Sequence, residues 1–417
     1  MTPDFTTLFI AAFTLTLLGR LWLTLRHIRF VSAHSNAVPP GFTERISLEA
    51  HQKAANYTVD RSRITLFSTL LDAALLLAFT LGGGLNVLHD FWTLKLDGLS
   101  YGIAMIFSLM LISGIIDLPL SLYRQFVIEA RHGFNRMSLG LFFADMLKQS
   151  LLGIAIGAPV ILAVLWLMDA MGNFWWFYVW LFWSGFNLLI MFIYPTWIAP
   201  LFNKFLPLED GEMKSRIEAL LVRCGFRSSG LFVMDGSKRS SHGNAYFTGF
   251  GNNKRIVFFD TLLARLTPTE IEAVLAHELG HFRRKHIVKR IIFMFATSLA
   301  FLWLLGQLIN APWFFSGLGV SAENTTLALI LFFLVIPVFT FPLSPLMSHF
   351  SRQHEFEADA YAAEHTAASD LIRALVKLYE DNASTLTPDP IHSMFYDSHP
   401  PAAVRIAHLQ SLPARTT

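Results

Sequence analysis

The chain has 417 residues, of which 53% are hydrophobic, 15% charged and 14% aromatic, with a mean hydropathy of +0.48. Ordinary soluble domains carry about 25% charged residues, so the composition argues against a soluble enzyme, a disordered tail and a nucleic-acid-binding protein, and a net charge of only +2 implies no polyanionic partner. The single cysteine, Cys224, rules out an internal disulfide and a cysteine-rich zinc site.

Apolar stretches long enough to cross about 30 Å of hydrocarbon recur along the chain. We read seven, with soft edges, near residues 5–25, 64–88, 99–123, 147–171, 174–200, 290–310 and 325–348. The abundance of Phe and Trp agrees with surfaces bathed in lipid. The first stretch reads as a retained helix and not a cleaved signal. Asp4 stands where a basic cluster belongs, and no clear small-residue cleavage site follows. Arg20, Asp72 and Asp117 fall inside spans; such groups face a bundle interior or a water-filled cavity, or serve as buried structural pairs or snorkelling side chains.

The loops alternate in charge. The first carries Arg26, Arg29, Arg45, Lys53, Arg61 and Arg63, and the second only Lys95, beside Asp90 and Asp97. The third has Arg124, Arg131, Arg136 and Lys148, whereas the fourth, near Asp169 to Asn173, has no basic residue. The stretch from Leu201 to Arg290 is again basic, the loop from Asn310 to Asn324 is not, and basic residues return towards the C-terminus. The positive-inside rule then places the N-terminus outside and the C-terminus in the cytosol. Both large polar regions, 201–289 and 349–417, fall on that cytosolic side.

The first polar region contains His277-Glu-Leu-Gly-His281 on a helix that starts at Thr267, with Pro268 at its first position and Glu270 at its third. Histidines four residues apart project from one helix face and bind one metal. Zinc suits two imidazoles plus one carboxylate, with a fourth position open to water. The metal acidifies that water and Glu278 takes its proton. Val274 and Leu275 bury one face of the helix, and Gly280 permits close approach of another segment. The third ligand must come from elsewhere. The segment from Ser351 to about Asn382 reads as a helix, with Glu355 and Asp359 four apart. Like charges so placed repel unless a cation is near. We assign Glu355 as the third ligand and Asp359 as an outer carboxylate that orients a ligand imidazole; His354 and Glu357 are the weaker candidates on that helix.

With these residues the chain resembles the integral-membrane type I CAAX prenyl proteases, a family of zinc metalloproteases. The likeness extends to Asp235-Gly-Ser-Lys-Arg-Ser-Ser-His-Gly-Asn-Ala-Tyr-Phe-Thr-Gly-Phe-Gly251, to Lys254-Arg-Ile-Val-Phe-Phe-Asp-Thr-Leu-Leu263, and to Pro200-Leu-Phe-Asn203 and Pro207-Leu-Glu-Asp-Gly211. It also takes in Phe126-Val-Ile-Glu-Ala-Arg-His-Gly-Phe-Asn135 and Asp397-Ser-His-Pro400 with Arg405. The resemblance implies an all-α polytopic membrane protein, with seven helices around a water-filled intramembrane chamber and a cytosolic zincin-like catalytic domain bearing a small β component. It implies a membrane domain over 1–200, a zinc-protease region over 201–289, two further spans over 290–348 and a C-terminal region over 349–417 that holds the third ligand. Asn244 and Ala245 lie in a Tyr- and Phe-rich segment suited to an edge strand, to which a peptide substrate adds by main-chain hydrogen bonds. His399, in a Ser-His-Pro turn, is assigned to the oxyanion of the tetrahedral intermediate, and Arg405 to positive charge there.

The function expected is a zinc-dependent membrane endopeptidase, with one Zn2+ per chain, that cuts near the C-terminus of prenylated or other membrane-associated peptides and proteins. The alternatives are a quality-control protease without prenyl specificity, a transporter motivated by Asp72 and Asp117, and a non-catalytic scaffold. Short loops and few lysines favour a bacterial inner membrane over the endoplasmic reticulum, with the site on the cytosolic side.

Overall fold

The computed structural model describes residues 4–248 and 255–413. Gly249 to Gly251 and Lys254, from two of the stretches compared above, lie outside the described residues. Seven helical segments are long and apolar enough to cross a membrane, as the hydropathy reading expects. The N-terminal half comprises α1 (Phe5–Ala33), α2 (Leu48–Phe79), the short α3 (Gly84–Thr93), α4 (Gly98–Tyr123, prolonged by a π turn over Arg124–Glu129), α5 (Leu139–Ala170) and α6 (Trp175–Ile193). Side-chain caps start several of them: Asp4, Ser47 and Ser138 accept from the backbone N–H three residues on. Leu15, Leu18, Phe67, Met110, Leu111, Ile115 and Phe192 are all more than half exposed, a distribution that suits lipid and not water.

The second apolar stretch, read as 64–88, divides. α2 ends at Phe79, and Gly83, at φ +76°, caps the separate helix α3. Gly83, the middle of three successive glycines, gives the chain a left-handed turn that the apolar run conceals. At its other end α2 begins at Leu48, well before the apolar run, and in this polar first half Ala54 and Tyr57 pack with Ile128 and Phe134.

The polar region after α6 folds into β1 (Phe205–Pro207), α7 (Glu212–Arg223), β2 (Gly230–Met234), β3 (Ala245–Thr248), β4 (Arg255–Phe259), the single turn α8 (Asp260–Leu263) and α9 (Pro268–Arg283). The sheet order is β1-β2-β4-β3, with β2 and β4 parallel and the outer strands antiparallel to their neighbours. β3 is an edge strand, as Asn244-Ala245 led us to expect.

The chain returns to apolar helices in α10 (His286–Leu308), the short α11 (Pro312–Ser316) and α12 (Thr325–Thr340). It ends in α13 (Ser344–His365), α14 (Ala368–Asp381), α15 (Pro390–Tyr396) and α16 (Ala402–Ser411). The expected single helix from Ser351 to about Asn382 is two helices. Thr366 is extended at φ −137°, ψ 173°, and its hydroxyl donates to Ala362 O at 2.8 Å, closing α13 before α14 begins.

Two cores result. One lies among the apolar helices, around Phe9, Met105, Leu305, Phe314, Leu327 and Leu331. The other joins the two polar regions, packing Ile217, Phe258, Ile271 and Leu279 against Ala362, Leu371 and Leu409, with Phe42 and Ile46 from the first loop. Arg20, Asp72 and Asp117 all line one cavity of about 550 Å³ enclosed by α1, α2, α4 and α12.

Candidate metal centre

α9 is built to hold its histidines still. Thr267 Oγ1 accepts from Glu270 N–H at 3.4 Å, and Glu270 Oε2 accepts from Thr267 N–H at 2.8 Å, a reciprocal cap after which Pro268 opens the helix. Glu270 is in turn held by Lys377 of α14 at 2.7 Å. Gly280 faces α13 so closely that a Cβ there would stand 2.9 Å from Ala358 Cα. This contact sets α13 against the histidine face.

His277, His281 and Glu355 converge. Their ligand atoms all lie within 4.8 Å of one another. His277 Nε2 is 3.5 Å from Glu355 Oε2, His281 Nε2 is 3.4 Å from Glu355 Oε1, and the two Nε2 atoms are 3.2 Å apart. Glu355 Oε2 is buried with no hydrogen-bond partner. A buried carboxylate whose Oε2 makes no hydrogen bond and whose two oxygens face two imidazole nitrogens fits a divalent cation.

Asp359, with 0% exposure, sits behind the set. Its Oδ1 lies 2.9 Å from His277 Nδ1, which leaves His277 Nε2 for the metal. Burial opposes protonation of His277, but Asp359 and Glu355 outweigh it and push the pKa up to about 9.

Arg405 is buried and clamps the same aspartate, with Nε 2.9 Å from Oδ2 and Nη2 2.5 Å from Oδ1. Its Nη1 lies 3.4 Å from Glu355 Oε2. The guanidinium lines the cleft, but two of its nitrogens are committed to Asp359, where the sequence reading directed its charge to an oxyanion. His399 stands exposed at the rim, its Nε2 3.4 Å from Glu355 Oε1 and its Nδ1 3.0 Å from Ser398 Oγ.

A cleft of about 510 Å³ opens over these groups and is lined by Glu278, His399, Asn244 and Ala245. Asn244 O accepts from Phe259 N–H at 3.0 Å, and its side chain accepts from Ala245 N–H at 2.8 Å, so it begins β3 at the mouth. Asn382 was missed by sequence reasoning. Its Oδ1 accepts from Gly243 N–H at 3.2 Å and lies 3.1 Å from His242 Nδ1, pinning the loop before Asn244. Nothing local marks it beyond an Asn at a helix end. Tyr379, whose hydroxyl burial keeps neutral by raising its pKa, also lines the cleft.

An apolar helical bundle joined to a helix with two metal-facing histidines and a distant carboxylate defines an integral-membrane metallopeptidase. Comparison with known proteins makes this specific. Residues 27–204 match the family described as CAAX prenyl protease N-terminal, five membrane helices, and residues 207–412 match peptidase family M48. The CAAX prenyl protease 1 homolog of Arabidopsis thaliana is 38% identical over 384 residues, covering 87% of each chain. CAAX prenyl protease 1 of Saccharomyces cerevisiae is 35% identical over 423 residues, covering 93% of this chain and 91% of that one. The crystal structure of S. mikatae Ste24p superposes with a TM-score of 0.91 at 33% identity, covering 98% of this chain and 100% of that one. The chain belongs to the CAAX prenyl protease family of M48 metallopeptidases. It is a multi-pass membrane protein and a metalloendopeptidase.

Proposed function

We propose that this endopeptidase uses zinc, held by His277, His281 and Glu355, to hydrolyse peptide bonds near the C-terminus of prenylated proteins at the cytosolic face of its membrane. The observation that carries the reading is the convergence of those three ligands beneath a cleft bounded by Glu278 on one side and the edge strand β3 on the other. Zinc, when bound, supplies a Lewis acid that polarises a carbonyl and acidifies water. Glu278 takes the proton from the attacking water and returns it to the leaving amine. The substrate backbone adds to β3, with Asn244 at the mouth of the strand fixing its register. Val274, Leu371, Leu375 and Leu378 line the same cleft and suit aliphatic side chains beside the scissile bond. His399 at the rim donates to the oxyanion. Arg405 and Asp359 act from behind, by holding His277 and Glu355 in place.

In this reading the polar cavity around Arg20, Asp72 and Asp117 belongs to a water-filled chamber enclosed by the spans. Its likeness to CAAX prenyl proteases of plants and yeast favours prenylated substrates over general membrane-protein turnover. Short loops and few lysines favour a bacterial inner membrane over the endoplasmic reticulum.

The test uses purified protein, farnesylated and unmodified CAAX peptides, and mass spectrometry with and without a chelator. Cleavage of the farnesylated peptide alone, abolished by the chelator, is expected. Equal cleavage of both peptides moves the assignment to a protease without prenyl specificity. Glu278→Gln is expected to bind zinc as the parent does and to lose at least about 100-fold in kcat; activity that survives removes Glu278 as the base.

A further inference from the structure

The imidazole of His281 has two faces. Its Nε2 looks into the metal pocket, towards His277 and Glu355. Its Nδ1 lies 2.9 Å from Nδ1 of a third histidine, His286, and Nε2 of His286 lies 2.9 Å from Glu357 Oε2. His286 is only 4% exposed, and its ring stacks on His354 with centroids 4.0 Å apart and planes at 16°. It is the first residue of α10, placed under α9 by Lys285, whose φ of +58° makes the sharp turn between the two helices. Glu357 comes from α13, the helix that supplies Glu355.

The proton pattern along this chain follows from donor and acceptor chemistry. An ionised carboxylate only accepts, so His286 carries its proton on Nε2 and gives it to Glu357. Neutral His286 then presents a lone pair at Nδ1. The neighbouring Nδ1 of His281 must be the donor, which leaves the His281 Nε2 lone pair free for a cation.

We infer that His286, oriented by Glu357, is a positioning residue: it fixes His281 in the tautomer and ring rotation that a metal ligand requires. This rests on the metal assignment proposed above. The two ligand histidines are thus held differently. His277 donates directly to the buried Asp359, whereas His281 donates through an imidazole relay to a half-exposed carboxylate. The relay also ties the metal pocket to the first turn of the sixth membrane-spanning helix.

The experiment measures zinc affinity of the purified full chain by competition with a chromophoric chelator, with thermal unfolding alongside. His286→Phe keeps a ring against His354 but removes the acceptor, and about 10–100-fold weaker zinc binding is expected. His286→Asn restores an acceptor oxygen close to the Nδ1 position and should recover most of the loss. Glu357→Gln, still an acceptor, should bind zinc nearly as the parent does, whereas Glu357→Leu should weaken binding at a position exposed enough to leave folding intact. Parent-like affinity in both His286→Phe and Glu357→Leu overturns the inference. So does an Asn variant no better than Phe, which assigns His286 to packing alone. His277→Ala serves as the reference: if it too binds zinc like the parent, the metal assignment itself is wrong, and the relay falls with it for a different reason.

Discussion

Arg405 is a cation with almost no water around it, and the cost of burying it is offset by the two hydrogen bonds it gives Asp359. Burial would lower its pKa, but Asp359 more than compensates, so it stays charged. Removing one member of such a pair strands the other: Arg405→Met leaves Asp359 buried and ionised, and about 3–5 kcal/mol of stability should be lost. Denaturant unfolding in detergent measures this, together with zinc content. A group acting only on an oxyanion would lower kcat and leave stability unchanged, so the pair of readings separates the two roles. The contrast shows what a sequence reveals at this scale. His277 and His281 are legible because four residues is one helical turn, and Glu355 and Asp359 because adjacent like charges on one face need a cation. Arg405, Asn382 and His286 owe their roles to neighbours between 5 and 140 residues away in the chain. For Arg405 and Asn382 no local period encodes the partner, and for His286 it depends on a sharp turn at Lys285.

The site stands on two crossed elements, α9 and α13, and both their contact and the start of α9 are testable. A methyl group at residue 280 would lie 3.1 Å from both Ala358 O and Tyr361 Cβ as well as 2.9 Å from Ala358 Cα, which is closer than backbone can yield without moving. Gly280→Ala should therefore cost about 1–3 kcal/mol and weaken zinc binding, because the helix carrying Glu355 is pushed from the histidines; thermal unfolding and chelator competition read the two effects. At the other end, burial would raise the pKa of Glu270, but bonds from Lys377 and Thr267 hold it below the ordinary glutamate range. A carboxyl depressed on folding contributes stability above its unfolded pKa, near about 4.3, and that contribution disappears as pH falls through the folded pKa. Glu270→Gln keeps the cap but loses the charged partner of Lys377. It should be less stable than the parent by about 1–3 kcal/mol at neutral pH, with the gap closing in acid. Thermal melts from pH 7 to 3 would show two converging curves; parallel curves would exclude the linkage. The cap was legible as Thr267, Pro268 and Glu270, and the break at Thr366 was not. Its hydroxyl bond and extended backbone end α13 inside a run that still reads as helix.

At the level of the whole molecule, span count, charge and packing constrain one another. The two polar regions share a single buried core, so they lie on one side of the bilayer. Seven candidate spans, an odd number, predict that the two ends of the chain lie on opposite sides. Hydropathy alone reveals the number of crossings but not which helices touch, and it cannot tell where α2 stops, because glycine turns and apolar runs score alike. The alternation of basic loops predicts the direction: the loop bearing Asp90 is expected to face away from the domain that bears Asp210. Both side chains are exposed and remote from the metal pocket, which makes them suitable reporters. In a Cys224→Ser background, Asp90→Cys and Asp210→Cys placed in sealed vesicles of known orientation should react with a membrane-impermeant maleimide from opposite faces. Asp210→Cys should be protected in vesicles whose cytosolic face is enclosed and should react once detergent opens them. Labelling of both cysteines from one face would require an even number of crossings between them. It would also move the peptidase cleft to the side of the membrane opposite the one proposed, or remove a span from the reading.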